Sequence, residues 1–494
     1  MNKIILFISL LLFHLLASLV YAQSPKRGIA YGHHSVEDMK ALKSGISWWY
    51  NWSPAPESQL ISTYNTLGVK FVPMAWGKIN DPDAFIATIP TGTQYLLAFN
   101  EPNFNDGARL TPQEAVAAWP ALEKIAQAKN LQIVSASPAY NGPDNYGGYQ
   151  SPIAWHDEFF RLCPTCKVDF IAFHTYDATA ASVIGVTNGL KKYLRPIWVT
   201  EFANRVIQTS TEKIDFMKTI VENFENDPDI YRYSWFTGRV PDNWLDMQEG
   251  QLFGPNSGVL KPIGIAYSTA SYTSKKITIP ATIPAKTHYR RKGTGLQNTN
   301  DGTTGQNVCF VNEGDWTEYL IEVPKEGLYD MKFRLASPSI AAKFDLSVND
   351  VVVKNDETLE STGGWQTYGY KVVSSIPLPK GEVLFKILFK TNDLNFNFFE
   401  VKETNTLATD DFIKDKKSMV YPNPFEKEFF FQCKTEQTIP LKIKILDTKG
   451  SSYYSYDRHL TNQEISLGKE LSSGVYFVIA SYGTTVERFK IIKK

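Results

Sequence analysis

Cysteine is scarce, with four in 494 residues, and no second pair or histidine cluster joins Cys163 and Cys166 of "CPTC" to hold zinc. No metal is therefore expected, and the pair reads as a small disulfide of an oxidising compartment or as plain free thiols. Cys309 and Cys433 read as buried small hydrophobes. Net charge is missing too. Lys+Arg and Asp+Glu balance at 51 each, which argues against nucleic acid or another polyanion as a partner. After residue 22 no apolar run could span a bilayer, and no Gly-rich dinucleotide fingerprint follows the first strand candidate.

What is abundant is aromatic. Phe, Trp and Tyr make up 13% of the chain, with 11 Trp and 25 Tyr. Most serve core packing, yet sugar-binding surfaces use the same residues as flat apolar platforms. The length predicts two to four domains. Residues 1–22 read as a signal peptide: Lys3 supplies the basic start, "IILFISLLLFHLLASLV" the apolar run, and Val20-Tyr21-Ala22 a small-residue cleavage pattern. A transmembrane anchor is disfavoured, because the run is short and interrupted by His14.

Residues 24–276 alternate short apolar runs with helix-like stretches. Strand candidates fall at 27–31, 46–52, 69–76, 95–101, 131–137, 168–176, 196–202 and 231–237. They are continuous rather than alternating runs, as for parallel strands covered on both faces. The segment "TPQEAVAAWPALEKIAQAKN" predicts a helix capped by Thr111 with Glu114 in its first turn. Eight β-α repeats in about 250 residues fit an α/β TIM barrel, (β/α)8; a doubly wound open sheet is the alternative. From 277 to 402 apolar and polar residues alternate between turns, which predicts a β-sandwich. Residues 403–417 are polar and charged and read as a linker, and 418–494 as a second all-β unit.

The stretch "YLLAFNEPNFN" (95–105) runs five apolar or aromatic residues into Asn100, Glu101 and Pro102. A second carboxylate, Glu201, closes the seventh candidate in "IWVTEFAN", whereas every other candidate ends in a neutral residue. The C-terminal ends of barrel strands carry function. Glutamates closing strands four and seven would face each other across one barrel mouth, as glycoside hydrolysis with retention requires. Either glutamate alone is as readily a solvated loop residue.

Together with "WWYNW", "VPMAW" and "DFIAFHTY", the motifs "AFNEPN" and "VTEF" resemble the catalytic core of glycoside hydrolase family 128, over about residues 26–275. The resemblance implies endo-acting cleavage of β-1,3-glucan, with Glu101 as acid/base, Glu201 as nucleophile and Asn100 on the 2-hydroxyl of the attacked sugar. Glu101 is expected to hold its proton near neutral pH, its pKa raised by an anionic Glu201 and a partly dry cleft. Trp52, Trp76 and Trp235, at or near the ends of strands two, three and eight, either stack on sugar faces or pack the barrel. His174 and Tyr176 either orient Glu201 or a hydroxyl, or are structural. The loop "NGPDNYGGYQ" (141–150) is a candidate cleft wall.

The sandwich resembles a carbohydrate-binding module of family 6, through "NVCFVNEGDWTEYLIEVPKEGLYDMKFRLAS", "TGGWQTYGY" and "LNFNFFEV". By motif position Phe310 and Trp365 would sandwich a sugar ring and Asn395 bind its hydroxyls. Lys286 stands where that family has a calcium-binding Glu, so a structural calcium is put in doubt and no cofactor is expected. Residues 418–494 resemble the C-terminal sorting domain of type IX secretion, through "VYPNPF", "IKILDTKG", "LSSGVYFV" and "VERFKIIKK". It implies a Bacteroidota-type cell and passage across the outer membrane. The expectation is a secreted, monomeric retaining endo-β-1,3-glucanase whose partners are β-glucan and the type IX machinery. The competing readings are a non-catalytic surface lectin, and the same chemistry on mixed-linkage glucan, mannan or galactan.

Overall fold

The apolar runs of the first domain become short parallel strands, six of the eight shorter than their runs because flanking residues leave the ladder for loops. In the computed structural model these are β1 (Ser24–Ala30), β2 (Ile46–Tyr50), β3 (Lys70–Phe71), β4 (Tyr95–Leu97), β5 (Gln132–Val134), β6 (Ile171–Thr175), β7 (Ile197–Phe202) and β8 (Ile230–Phe236). Helices α1 (Val36–Leu42), α2 (Pro82–Thr88), α3 (Pro112–Lys129), α4 (Pro152–Leu162), α5 (Ala180–Leu190), α6 (Ser210–Asn226) and α7 (Pro262–Thr269) lie between and after them. The β2–β3 connection, rich in proline at Pro54 and Pro56, holds only a 3-10 turn at Ser58–Leu60. The structure describes residues 23–404 and 418–494 apart from 33–34, 141–144, 207, 303, 436, 448–451 and 484. The signal-peptide segment, most of the linker and the start of the 141–150 loop lie outside the described residues.

Strands pair in the order β3-β2-β1-β8-β7-β6, and β4 pairs with β5. Single bridges, Met74 to Leu97 and Val134 to Phe170, join the two sheets. Hydrogen-bonded neighbours therefore run from β1 round to β8 and back, a barrel-like arrangement. Successive residues alternate between two cores. Trp48, Tyr95, Phe170, Trp198 and Tyr231 pack against one another inside, while Trp49, Phe71, Phe202 and Tyr233 pack outward with helical residues such as Met39, Trp119 and Phe224. Both faces are buried, which is why the strands read as continuous apolar runs. Helix α3 begins as its sequence predicts: Thr111 accepts from the Glu114 amide, and the Glu114 side chain returns to the Thr111 amide.

Residues 277–403 form two six-stranded sheets, antiparallel except where the short strand Ile277–Thr278 pairs with Trp316–Val323. They close over a Phe-rich core that includes Phe333, Phe344, Phe385 and Phe399. The sandwich and the barrel-like domain make one compact unit, Met1–Lys402. They meet at the end where the strands begin. Arg291 forks onto Asp229 at 2.7 and 3.0 Å, the buried Tyr289 hydroxyl donates to Glu225 at 2.7 Å, and Trp316 packs edge-on against Tyr231. The second unit, Glu403–Lys494, holds a three-stranded and a four-stranded sheet around a shared core with Phe431, Ile443 and Val478. Cys163 and Cys166 are joined in a disulfide; Cys309 and Cys433 are buried and in no disulfide. Among the described residues no helix is long and apolar enough to cross a membrane.

Candidate active site

Two backbone irregularities bring the carboxylates together. In β7, Phe173 of β6 faces Val199, but the next residue, His174, faces Glu201, so Thr200 is an extra residue in the ladder. This bulge leaves the Thr200 carbonyl free to accept the hydroxyls of Tyr50 at 3.1 Å and Ser234 at 2.5 Å. It also turns Glu201 toward the strand ends, out of the alternation that the preceding residues set. Glu101 sits just past β4 with φ of 40°, a left-handed conformation rare for a residue with a side chain. The loop folds back over it so closely that a Cβ on Gly107 would lie 2.1 Å from the Glu101 carbonyl oxygen. Asn103, fully buried, fixes the neighbouring loop through the Ala139 amide and the Ala139 and Tyr149 carbonyls.

His174 stands between the two acids. Its Nδ1 is 2.9 Å from Glu101 Oε1, and its Nε2 is 3.4 Å from Glu201 Oε1. One ligand atom from each of the three residues lies within 4.8 Å of the others. Glu201 is the more buried acid, its side chain 4% exposed against 17% for Glu101. It accepts from the Tyr50 hydroxyl at 2.7 Å and the Trp52 indole at 2.8 Å on Oε1, and from the Tyr176 hydroxyl on Oε2.

Burial raises the Glu201 pKa, aided by the charge of Glu101 and opposed by His174, Tyr176 and Trp52. Burial also works to lower the His174 pKa, but Glu201 and Glu101 outweigh it and hold the imidazole above its ordinary value. Tyr50 and Tyr176 are pushed far up by burial and then by the Glu201 charge. Both therefore remain phenols and serve as donors.

These groups open onto a cleft of about 720 Å³ lined in part by Trp52, Trp76, Asn100, Tyr140, Phe236 and Trp244. Asn100 is 7% exposed, and its side-chain oxygen is buried with no hydrogen-bond partner. Trp76 is 41% exposed. A second hollow of about 450 Å³ continues past Trp52 and Trp76 toward Pro54, Ile79 and Phe85.

Of the predicted residues, Glu101, Glu201, Asn100, Trp52, Trp76, His174 and Tyr176 converge here, and Trp235 does not. Trp235 is fully buried, its indole donates to the Gly250 carbonyl at 2.8 Å, and its ring meets Phe202 edge-on. It is a packing residue. Along a strand the side chains alternate, so the ring that reaches the cleft from β8 is its neighbour Phe236. Tyr50, Phe236 and Trp244 were not singled out from sequence. Tyr50 had a readable signal, because Trp48, Tyr50 and Trp52 repeat every second residue and share one face. In the sandwich, Phe310 is 71% and Trp365 46% exposed, and Asn395 is buried with its amide donating to the Trp365 carbonyl at 2.6 Å.

Residues 28–267 match the glycosyl hydrolase catalytic core, residues 285–403 the carbohydrate-binding module of family 6, and residues 419–494 the secretion system C-terminal sorting domain. A family 128, subgroup II endo-β-1,3-glucanase from Sorangium cellulosum is 37% identical, over 50% of this chain and 98% of that one, with a TM-score of 0.47. A second subgroup II endo-β-1,3-glucanase, from Pseudomonas viridiflava, is 34% identical over 51% of this chain and all of that one, with a TM-score of 0.46. Alkali-sensitive linkage protein 1 of Schizosaccharomyces pombe is 28% identical over 228 residues, 43% of this chain; the match spans about two fifths (39%) of that protein's length.

Proposed function

Because this chain belongs, through its first domain, to the glycosyl hydrolases of family 128, we propose that it cleaves β-1,3-glucan internally and with retention of anomeric configuration. The observation that carries the reading is the pair of carboxyl groups brought within 4.8 Å across His174 at the floor of an open cleft. Retaining enzymes hold their two acids roughly 5 Å apart. Glu201, held by three donors, attacks the anomeric carbon. Glu101, on the more exposed side, gives its proton to the departing glycosidic oxygen, and a glycosyl ester forms. A sugar seated in the cleft covers Glu101 and excludes water from the reacting bond. Glu101 then takes a proton from water, which attacks the ester and releases Glu201. The unpartnered Asn100 oxygen fits a hydroxyl of the attacked sugar.

The finer readings rest on the same frame. Strand pairings running right round the domain support a (β/α)8 barrel over 24–276. The hollow beyond Trp76 supports internal cleavage, because it gives the glucan chain room to continue past the carboxylates. The family 6 module supports attachment to polysaccharide through Phe310, Trp365 and Asn395, with the domain limits 277–402 and 418–494. The C-terminal sorting domain assigns the chain to export by type IX secretion. A single-chain mass in light scattering is expected.

Substituting Glu201→Ala should lower laminarin hydrolysis by several orders of magnitude while retention on a polysaccharide gel is unchanged. Proton NMR of the first products should show the β-anomer. Persistent hydrolysis by the variant, or an α-anomer appearing first, refutes the assignment.

A further inference from the structure

At the end of the barrel-like domain opposite the cleft, the buried Arg290 and Arg232 and the half-buried Lys386 gather around Glu318 and Asp350. Arg290 is paired with Glu318 at 2.5 Å, and Lys386 with Asp350 at 2.8 Å and with Glu318 at 3.3 Å. The third cation is Arg232 of β8, 8% exposed. Its guanidinium lies among aromatic rings, 4.7 Å from the Tyr95 centroid, 4.8 Å from Trp198 and 5.5 Å from Trp48. Its Nε and Nη1 are buried and have no hydrogen-bond acceptor. Ring faces attract a cation but accept no strong hydrogen bond, and a buried N–H or charge left unmatched is costly.

Arg232 also borders two hollows. One, about 560 Å³, is the gap between the barrel-like domain and the sandwich, and it carries Asp350 and Glu382. The other, about 30 Å³, is lined by Lys70, Thr91, Thr93 and Gln94 and by no carboxylate. A hollow of this size has room for a water molecule or a small ion. Two cationic side chains, hydroxyl and amide donors, and no acid make it a place for a single small negative charge.

We propose that the small hollow beside Arg232 binds one monovalent inorganic anion of chloride size, which supplies the acceptor that the buried guanidinium lacks. The donors are the Arg232 guanidinium and the polar groups around it, and the aromatic rings hold the guanidinium in place. The site lies away from the carboxylates, so its occupancy acts on stability rather than on the chemical step.

The test uses the full-length protein. In mixtures of sodium chloride and sodium gluconate at constant ionic strength, the melting temperature should rise with chloride and saturate. The variant Arg232→Met, which keeps the side-chain bulk and removes the charge, should weaken the half-saturating chloride concentration at least tenfold. Crystals of the unmodified protein grown in bromide should give an anomalous peak in contact with the guanidinium. That measurement stands even if the variant fails to fold. A chloride response unchanged in Arg232→Met, an adventitious ion only at other surfaces, or water alone in the hollow overturns the proposal.

Discussion

Glu201 shows how much a single carboxylate owes to its neighbours. Burial disfavours its charge, and the hydrogen bonds from Trp52, Tyr50 and Tyr176 act in the opposite sense. Removing one donor, as in Trp52→Phe, should raise the Glu201 pKa further. The acidic limb of the kcat/KM profile then moves to higher pH, with a loss of roughly 10- to 100-fold, the worth of a hydrogen bond to a charged group. An unmoved limb would mean that the indole does not act on the acid. Protonation at His174 has a stability signature of its own. A histidine whose folded pKa is raised contributes stability that is fully present below its ordinary value of 6.5 and lost as pH rises through the folded value. Glu201, raised above 4.5, also makes stability fall with rising pH, but over a window that begins lower. The variant His174→Gln should therefore flatten the decline in melting temperature above pH 6.5, which a thermal-unfolding series across pH 5–9 would reveal. The sequence reading attached the dry environment to Glu101, whereas the fold places Glu201 deeper. No local pattern carries that information.

Irregular backbone at the ends of β4 and β7 does most to build the site. The run "IWVTEFAN" announces a buried strand, but a strand apolar on both faces hides its own phase, so the bulge at Thr200 is invisible in it. The same concealment explains Trp235. Its neighbour Phe236 reaches the cleft, and nothing in "YRYSWFT" tells one face from the other. Behind Glu101 the constraint is steric. A methyl group on Gly107 would meet the Glu101 carbonyl, so Gly107→Ala must push the loop, and the acid with it, out of place. The expected outcome is a fall in kcat of at least tenfold together with about 1–3 kcal/mol of lost stability, read from laminarin kinetics and denaturant melts. Full activity would show that the loop relaxes without moving Glu101.

Over the whole molecule, the sandwich packs where the strands of the barrel-like domain begin, and the cleft opens where they end. The module therefore does not wall the cleft and is expected to hold polysaccharide separately. Trp365→Ala should abolish retention on an insoluble β-1,3-glucan while leaving hydrolysis of soluble laminarin within about twofold. Loss of both activities together would show that the module's face serves the cleft after all. The change of pattern near residue 277 was readable as a new β-sandwich, but its union with the barrel-like domain was not. That union depends on scattered partners such as Asp229 with Arg291 and Glu225 with Tyr289, about sixty residues apart in each case.

The amino-acid sequence alone determined the order of strands and helices, the change from buried parallel runs to alternating β pattern, and the two acids at strand ends, because periodicity and capping act between near neighbours. The tertiary structure alone decided which face Trp235 and Phe236 present, which acid lies deeper, and which buried cation lacks a hydrogen-bond acceptor. Those properties belong to distances between residues far apart in the chain, which burial and electrostatics sense and a linear pattern does not record.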